Sequence, residues 1–171
     1  MCFLLTIWKL LGHVVCKHGL IMDPAKIAII VNLPPTLVRQ LRATLGHKRY
    51  YRKFIKGYAQ ITAPMEKQLK KDNKFTWNEE CQQSLDILKE KMVTVLILVF
   101  PDWAKEFHVH VDASSIALVA VLAQEGEGDI DHPMDFSSRK LSTAEKNYTT
   151  TEREGLAMVN SGHGSSLVLY L

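Results

Sequence analysis

The stretch Phe107-His-Val-His-Val-Asp-Ala-Ser-Ser-Ile-Ala-Leu-Val-Ala-Val-Leu-Ala-Gln124 decides the fold. Its first half alternates, with Phe107, Val109 and Val111 on one face and His108 and His110 on the other. That two-residue period marks a half-buried strand. Asp112 and small residues follow, and a second apolar run, Ile116 to Leu122, then returns. Two readings of Asp112 stand. It is a turn residue of an ordinary hairpin, or a carboxylate held rigidly at a sheet's end. The polar pair His108 and His110 is either a metal-binding pair or simply solvent-facing.

Downstream lies Glu125-Gly-Glu-Gly-Asp-Ile-Asp131, an acidic glycine loop expected in solvent. Pro133 to Ser138 reads as a third short strand. Ser142-Thr-Ala-Glu145 and Thr151-Glu-Arg-Glu154 both match the capping-box pattern. A helix with Leu156, Met158 and Val159 follows, and Asn160-Ser-Gly-His-Gly-Ser-Ser166 is expected to end it in a turn.

Upstream the pattern is helical. Cys2 to Val15 reads as one or two short strands, and Lys17-His-Gly19 as a polar turn. Asp23-Pro24 is a helix start, with Asp as N-cap and Pro at the first helical position. Pro34-Pro35 stops that helix. Thr36 caps the next, whose stripe is Leu37, Leu41 and Leu45 and whose end is set at Gly46. A third helix is expected over Gln60 to Leu69, with Ile61, Met65 and Leu69 on one side. Asn78 caps a long helix to Met92, with Glu79 and Glu80 in its first turn and Cys81, Leu85, Leu88 and Met92 inside. The boundary between the halves is set between 95 and 105.

The chain has 171 residues, 47% of them hydrophobic, which suits a packed core and argues against disorder. Its net charge of +3 hides an asymmetry. Residues 1–95 carry sixteen Lys/Arg and seven Asp/Glu, whereas residues 96–171 carry five and eleven. The segment Ala25 to Met65 holds eight Lys/Arg and no acid. A basic half joined to an acidic half points to two functional parts. Cys2, Cys16 and Cys81 have no metal-ligand spacing, so reduced thiols in the cytosol or nucleus are expected. The apolar Met1–Leu11 lacks a signal peptide's flanks and is too short to span a bilayer, so neither secretion nor a membrane is expected.

The motifs together resemble the polyprotein of gypsy-type LTR retrotransposons. Leu11-Gly-His-Val-Val15 is similar to the strand before the reverse transcriptase thumb. Asp23-Pro24-Ala-Lys26, Leu41-Arg42 with Leu45-Gly46, and Tyr50-Tyr51-Arg52-Lys53-Phe54-Ile55 resemble thumb blocks. Phe75-Thr-Trp77 with Glu80-Cys81-Gln82 resembles the segment before the last thumb helix. Val111-Asp112-Ala113-Ser114 with Val121-Leu122, Ser138-Arg139-Lys140-Leu141, Glu145-Lys-Asn-Tyr148 and Thr150-Thr-Glu-Arg-Glu154 resemble the start of a ribonuclease H domain. Departures are visible. The family has glycines where this chain has Ala117 and Val119, and a small apolar residue where it has Asp135. The loss of the pattern near Asn160 implies a frameshifted, mis-spliced or truncated copy.

The resemblance implies an α+β fold: a helical thumb remnant, then a truncated ribonuclease H-like mixed β-sheet with one helix. Residues 1–22 would end the palm, 23–95 form the thumb and connection, 96–160 a partial ribonuclease H-like domain, and 161–171 a non-family tail. It implies RNA-directed DNA polymerase and RNA–DNA hybrid hydrolysis for the parent. The hydrolysis uses two Mg²⁺ ions, which take hard oxygen ligands. Asp112 and Glu154 would be the catalytic and metal-binding carboxylates, with Glu152 the alternative to Glu154. The polymerase aspartates and the later ribonuclease H carboxylates are absent, so the chain alone is expected to be inactive. A thumb grips duplex or hybrid through phosphates, and Arg42, Lys48, Arg49, Tyr50, Arg52, Lys53 and Lys56 would do so here. The alternatives are a solvated helical face, a nuclease completed by another chain, or a relic without function.

Overall fold

The computed structural model describes residues 8–32, 38–70, 74–94 and 96–164. Two three-stranded antiparallel sheets flank a helical unit. The first sheet is β1 (Trp8–Leu10), β2 (His13–Cys16) and β3 (Gly19–Met22), in that order. β3 is a strand the sequence reading leaves out. It pairs antiparallel with β2 across the tight turn at Lys17 and His18, and Leu20 also exchanges backbone hydrogen bonds with Leu98, at 2.8 and 2.9 Å. That second contact lies 78 residues away and leaves no local trace.

The helices start where their caps place them. α1 (Pro24–Val31) opens on Asp23, whose carboxylate accepts from the Ala25 N–H at 3.1 Å. α4 (Glu79–Val93) opens on Asn78, whose Oδ1 accepts from the Cys81 N–H at 3.0 Å. These bonds satisfy donors that a helix start otherwise leaves unpaired. Cys81, Leu85, Leu88 and Met92 are buried as their spacing predicts. Thr36 and Leu37 lie outside the described residues.

Two boundaries differ from expectation. α2 (Val38–Tyr50) runs through Gly46, because its buried stripe continues past Leu45. An exposed helical glycine costs only about 1 kcal/mol, so Gly46 does not by itself end a helix. α3 (Tyr58–Lys67) begins two residues earlier than expected, after Gly57 at φ 71°. A 3-10 turn, Arg52–Phe54, joins α2 to α3. Leu41, Leu45, Tyr51, Phe54, Ile55 and Met65 form the main core with the α4 stripe.

The second sheet is β4 (His108–Ala113), β5 (Ala117–Glu125) and β6 (Asp131–Lys140), in that order. The α+β class holds, but every described pairing is antiparallel rather than mixed. The connections are short hairpins, and parallel neighbours need a crossover of a dozen residues or more. α5 (Thr150–Gly164) covers one face, where Ala157 packs with Leu118 and Leu141. It continues past Asn160 instead of ending there, and Asn160 is clamped: its Oδ1 accepts from Arg139 Nε at 2.8 Å and its Nδ2 donates to the Leu156 carbonyl. The other face meets the helical unit. Phe136 packs on the main core, Ser138 Oγ accepts from the Ala59 N–H at 3.0 Å, and Lys140 pairs with Glu66 at 2.7 Å. Among the described residues no helix is long and apolar enough to cross a membrane.

The Leu20–Leu98 bridge leaves no room at Gly19. A Cβ there would lie 2.1 Å from the Leu98 carbonyl oxygen, and Gly19 sits at φ 145°. Gly19→Ala is expected to lower stability by about 2 kcal/mol. Denaturant unfolding of the two proteins checks this.

Candidate nucleic-acid and metal sites

The basic face is built on α2. Arg39, Arg42, Gly46 and Arg49 fall within an arc of about 80° at 100° per residue, and all four are exposed. A Cβ on Gly46 would meet nothing within 4 Å, so the backbone there is open to a close approach. The face continues over the next turn with Arg52 and Lys56, both exposed. Arg39 belongs with Arg42, Arg49, Arg52 and Lys56 from the sequence reading; its helical spacing from Arg42 and Arg49 was the available signal. Beside the arc, Lys26, Ile29, His47 and Tyr50 line a cleft of about 430 Å³.

Three expected contacts are placed differently. Lys48 is 0% exposed. It sits seven residues after Leu41 and three after Leu45, on the buried stripe, so it cannot present its charge to a phosphate. Among the described residues its Nζ has no hydrogen-bond partner. Burial, then the nearby Lys89 charge, lower its pKa to about 8, with Asp86 opposing. Lys53 is half-buried, with its ammonium 5.5 Å from the Phe54 ring centroid. Burial lowers its pKa and the Asp135 charge opposes this. Tyr50 is 49% exposed, but its hydroxyl donates to the Leu11 carbonyl at 2.6 Å, so its ring and not its oxygen faces outward. Tyr51 donates likewise to Gly12, and the two tyrosines with Phe54 enclose His13.

The carboxylates separate by local structure. The capping box at the start of α5 is Thr149 with Glu152, not Thr151 with Glu154. Glu152 Oε2 accepts from the Thr149 N–H at 2.7 Å, and Thr149 Oγ1 accepts from the Glu152 N–H at 3.3 Å. These bonds hold the Glu152 carboxyl below its usual range. The upstream box stands as expected: Glu145 Oε2 accepts from the Ser142 N–H at 2.7 Å. Glu145 also takes a two-pronged pair from Arg139, and the two interactions lower its pKa to about 2. Glu154 and Asp112 are both exposed.

Asp112 stands near the end of β4, opposite Val119. Strand alternation sends it away from Val111 and Ala113, which pack under α5. The same alternation puts His108 and His110 on its face. Both imidazoles are tied to Asp131, His108 Nδ1 at 2.7 Å and His110 Nε2 at 2.5 Å. The two histidines lower the Asp131 pKa. Asp131 therefore begins β6 rather than hanging in the acidic loop. Val109, expected inside, is 48% exposed, because it lies on an outer strand beyond the reach of α5. Among the described residues no group of three or more His, Cys, Asp or Glu is placed to hold a metal ion. Two close divalent cations need more negative charge than two carboxylates supply. Among the described residues, Asp112 and Glu154 are brought into no such group.

Residues 77–166 match the RNase H-like domain found in reverse transcriptase. The chain belongs to that family. The match to this ribonuclease H-like family takes in α4 and reaches past Asn160. Among relatives, the Pol polyprotein of Drosophila melanogaster transposon 297 is 43% identical over 151 residues, covering 87% of this chain and 14% of its own length. That of transposon opus is 37% identical over 180 residues, covering 98% and 18%. The Tf2-3 polyprotein of Schizosaccharomyces pombe is 35% identical over 123 residues, covering 72% and 9%. The chain thus spans less than a fifth of each of these polyproteins. The foamy viral protease–reverse transcriptase, solved in complex with an RNA/DNA hybrid, shares the fold with a TM-score of 0.78 at 18% identity, over 91% of this chain and 21% of that one.

Lys48 yields a test of its burial. Its pKa of about 8 in the folded chain lies below its ordinary 10.5. Below pH 8 both folded and unfolded chains are charged there, and the folded state bears the whole penalty, roughly 3 kcal/mol. Between pH 8 and 10.5 the unfolded chain binds more protons, so stability rises with pH. Lys48→Met is expected to raise the unfolding midpoint at neutral pH and to flatten that alkaline rise, as followed by denaturant titrations across the range.

Proposed function

We propose that this chain is the thumb and ribonuclease H-like portion of a gypsy-type retrotransposon reverse transcriptase, and that it holds an RNA–DNA hybrid or duplex by its phosphates. The helical part over residues 23–95 carries the grip, and the part over 96–160 carries the remains of the hydrolytic centre. The observation behind this is the acid-free basic arc of Arg39, Arg42, Gly46 and Arg49, continued by Arg52 and Lys56. Its spacing suits phosphates, which are matched by guanidinium forks. The likeness to a reverse transcriptase solved with an RNA/DNA hybrid, and to the same enzyme with double-stranded DNA, supports the reading.

Such binding is sequence-tolerant and salt-dependent. Titration with hybrid and with duplex at two salt concentrations is expected to show a negative slope of affinity against salt. Arg42→Ala and Arg49→Ala should each reduce that slope by about one. Lys48→Met should leave it unchanged, because that side chain is buried. Absence of binding, or binding indifferent to salt, contradicts the proposal.

Hydrolysis is a separate matter. Asp112 and Glu154 are the two carboxylates left available, and two do not suffice for two magnesium ions. The chain by itself is expected to leave an RNA–DNA hybrid intact in Mg²⁺ or Mn²⁺. Specific cleavage abolished by Asp112→Asn would contradict this. A second reading is that another polypeptide completes the centre, and the engagement of Glu152 in its cap then points to Glu154 as this chain's ligand. Cleavage restored by adding the downstream part of a related polyprotein should then be lost with Glu154→Gln and kept with Glu152→Gln.

A further inference from the structure

We propose that Gln60 is a positioning residue for Asp112: through it, nucleic acid held on the basic face sets the turn beside that carboxylate. This rests on the phosphate grip proposed above. One short span joins the grip to the sheet. The basic face ends on Arg52 and Lys56, and Gly57, at φ 71°, links Lys56 to the first turn of α3. That first turn sits on the sheet face from which Asp112 leaves.

The placement follows from the sheet's register. Asp112 is opposite Val119, and Val119 is opposite Ser138. The three therefore stand in one row across β4, β5 and β6 and leave the same face. Ala117 and Lys140 form the next row but one along the strands, on that same face. α3 is fixed to both rows. Gly57 stands at its cap position and offers no side chain, so Ser138 serves instead: its Oγ accepts from the Ala59 N–H at 3.0 Å, one of the donors a helix start leaves unpaired. Farther along α3, Glu66 pairs with Lys140 at 2.7 Å. Gln60 makes the third contact, its Nε2 donating to Ser114 Oγ at 2.7 Å.

Ser114 is the knot of the β4–β5 turn. Its Oγ donates to the Ala117 carbonyl at 3.0 Å and accepts from the Ile116 and Ala117 N–H groups at 3.2 and 3.0 Å. Its one proton is thereby spent, so what it takes from α3 must be a donor, and the Gln60 amide nitrogen is one. The amide oxygen lies back over Gly57, where a Cβ would stand 3.1 Å from it. The glycine thus leaves room for the amide that reaches Ser114. Phosphates drawn to Arg52 and Lys56 act on the chain just before this turn of α3. Hydrogen bonds in series carry such a displacement, here from α3 through Gln60 to Ser114, two residues beyond Asp112. The Glu66–Lys140 pair differs, since neither partner belongs to the 112–117 turn.

Amide shifts of the whole chain, titrated with an RNA–DNA hybrid, test this. The amides along α2 should move, and those of Asp112, Ser114, Ile116 and Ala117 should move with them by a smaller amount. Gln60→Met keeps a good helix former of similar shape and removes the donor. It should bind hybrid with unchanged affinity and lose the response at the 112–117 turn. Glu66→Gln, which weakens the other contact of α3 with the sheet, should keep that response. A parent chain whose turn stays still while α2 moves overturns the proposal and leaves the grip standing. A response that Gln60→Met keeps, or that Glu66→Gln also removes, overturns it as well. Hybrid that moves no amide along α2 overturns the grip and this proposal together.

Discussion

The structure depends on the seam between β6 and α3. Phe136 enters the helical unit's core, Ser138 Oγ takes the Ala59 N–H, and Lys140 reaches across to Glu66. Gln60 adds a bond to Ser114 at the β4–β5 turn. The Asp135 charge acts on Lys53 across the seam, a basic residue of the basic half and an acidic residue of the acidic half. Leu20 and Leu98 make a second join, between the first sheet and the strand-like run after α4. With both joins in place, the basic arc of α2 and the sheet bearing Asp112 are held on one packed body.

Local chemistry was legible in the sequence where a single residue type does one job. Asp23 and Asn78 mark helix starts because their side chains accept the orphan N–H groups, and both do so. The stripe of α4 follows from its spacing. Lys48 shows how a rule can be applied too narrowly. It occupies the position where the Leu41–Leu45 stripe demands a buried side chain, yet its charge invited a surface reading. Gly46 misled in the other direction, since one exposed glycine costs a helix only about 1 kcal/mol and need not end it. β3 was missed although its partner β2 is adjacent across the turn at Lys17 and His18, and only its bonds to Leu98 are distant; Val109 was illegible because burial depends on how far α5 extends over the sheet.

The candidate site divides the same way. Both boxes at the start of α5 fit the pattern by residue type, and only the register of the helix chooses Thr149–Glu152. That choice occupies Glu152 in the cap and leaves the Glu154 carboxylate exposed. Asp131 was hidden in a loop-like composition, and its role in joining His108 to His110 needs the sheet's register. The family was readable from the order of its motifs. The placing of each carboxylate relative to the others was not, since it depends on which face of β4 each side chain leaves.

The account's central claim is that the exposed arc of α2 grips nucleic acid while the acidic loop of the sheet stays clear of it. Residue-resolved amide shifts on titrating the chain with an RNA–DNA hybrid test this most directly. The largest changes are predicted at Arg39, Arg42, Gly46, Arg49, Arg52 and Lys56, with Gly126 to Ile130 unmoved. Changes centred on Gly126 to Ile130, or none along α2, would contradict the account.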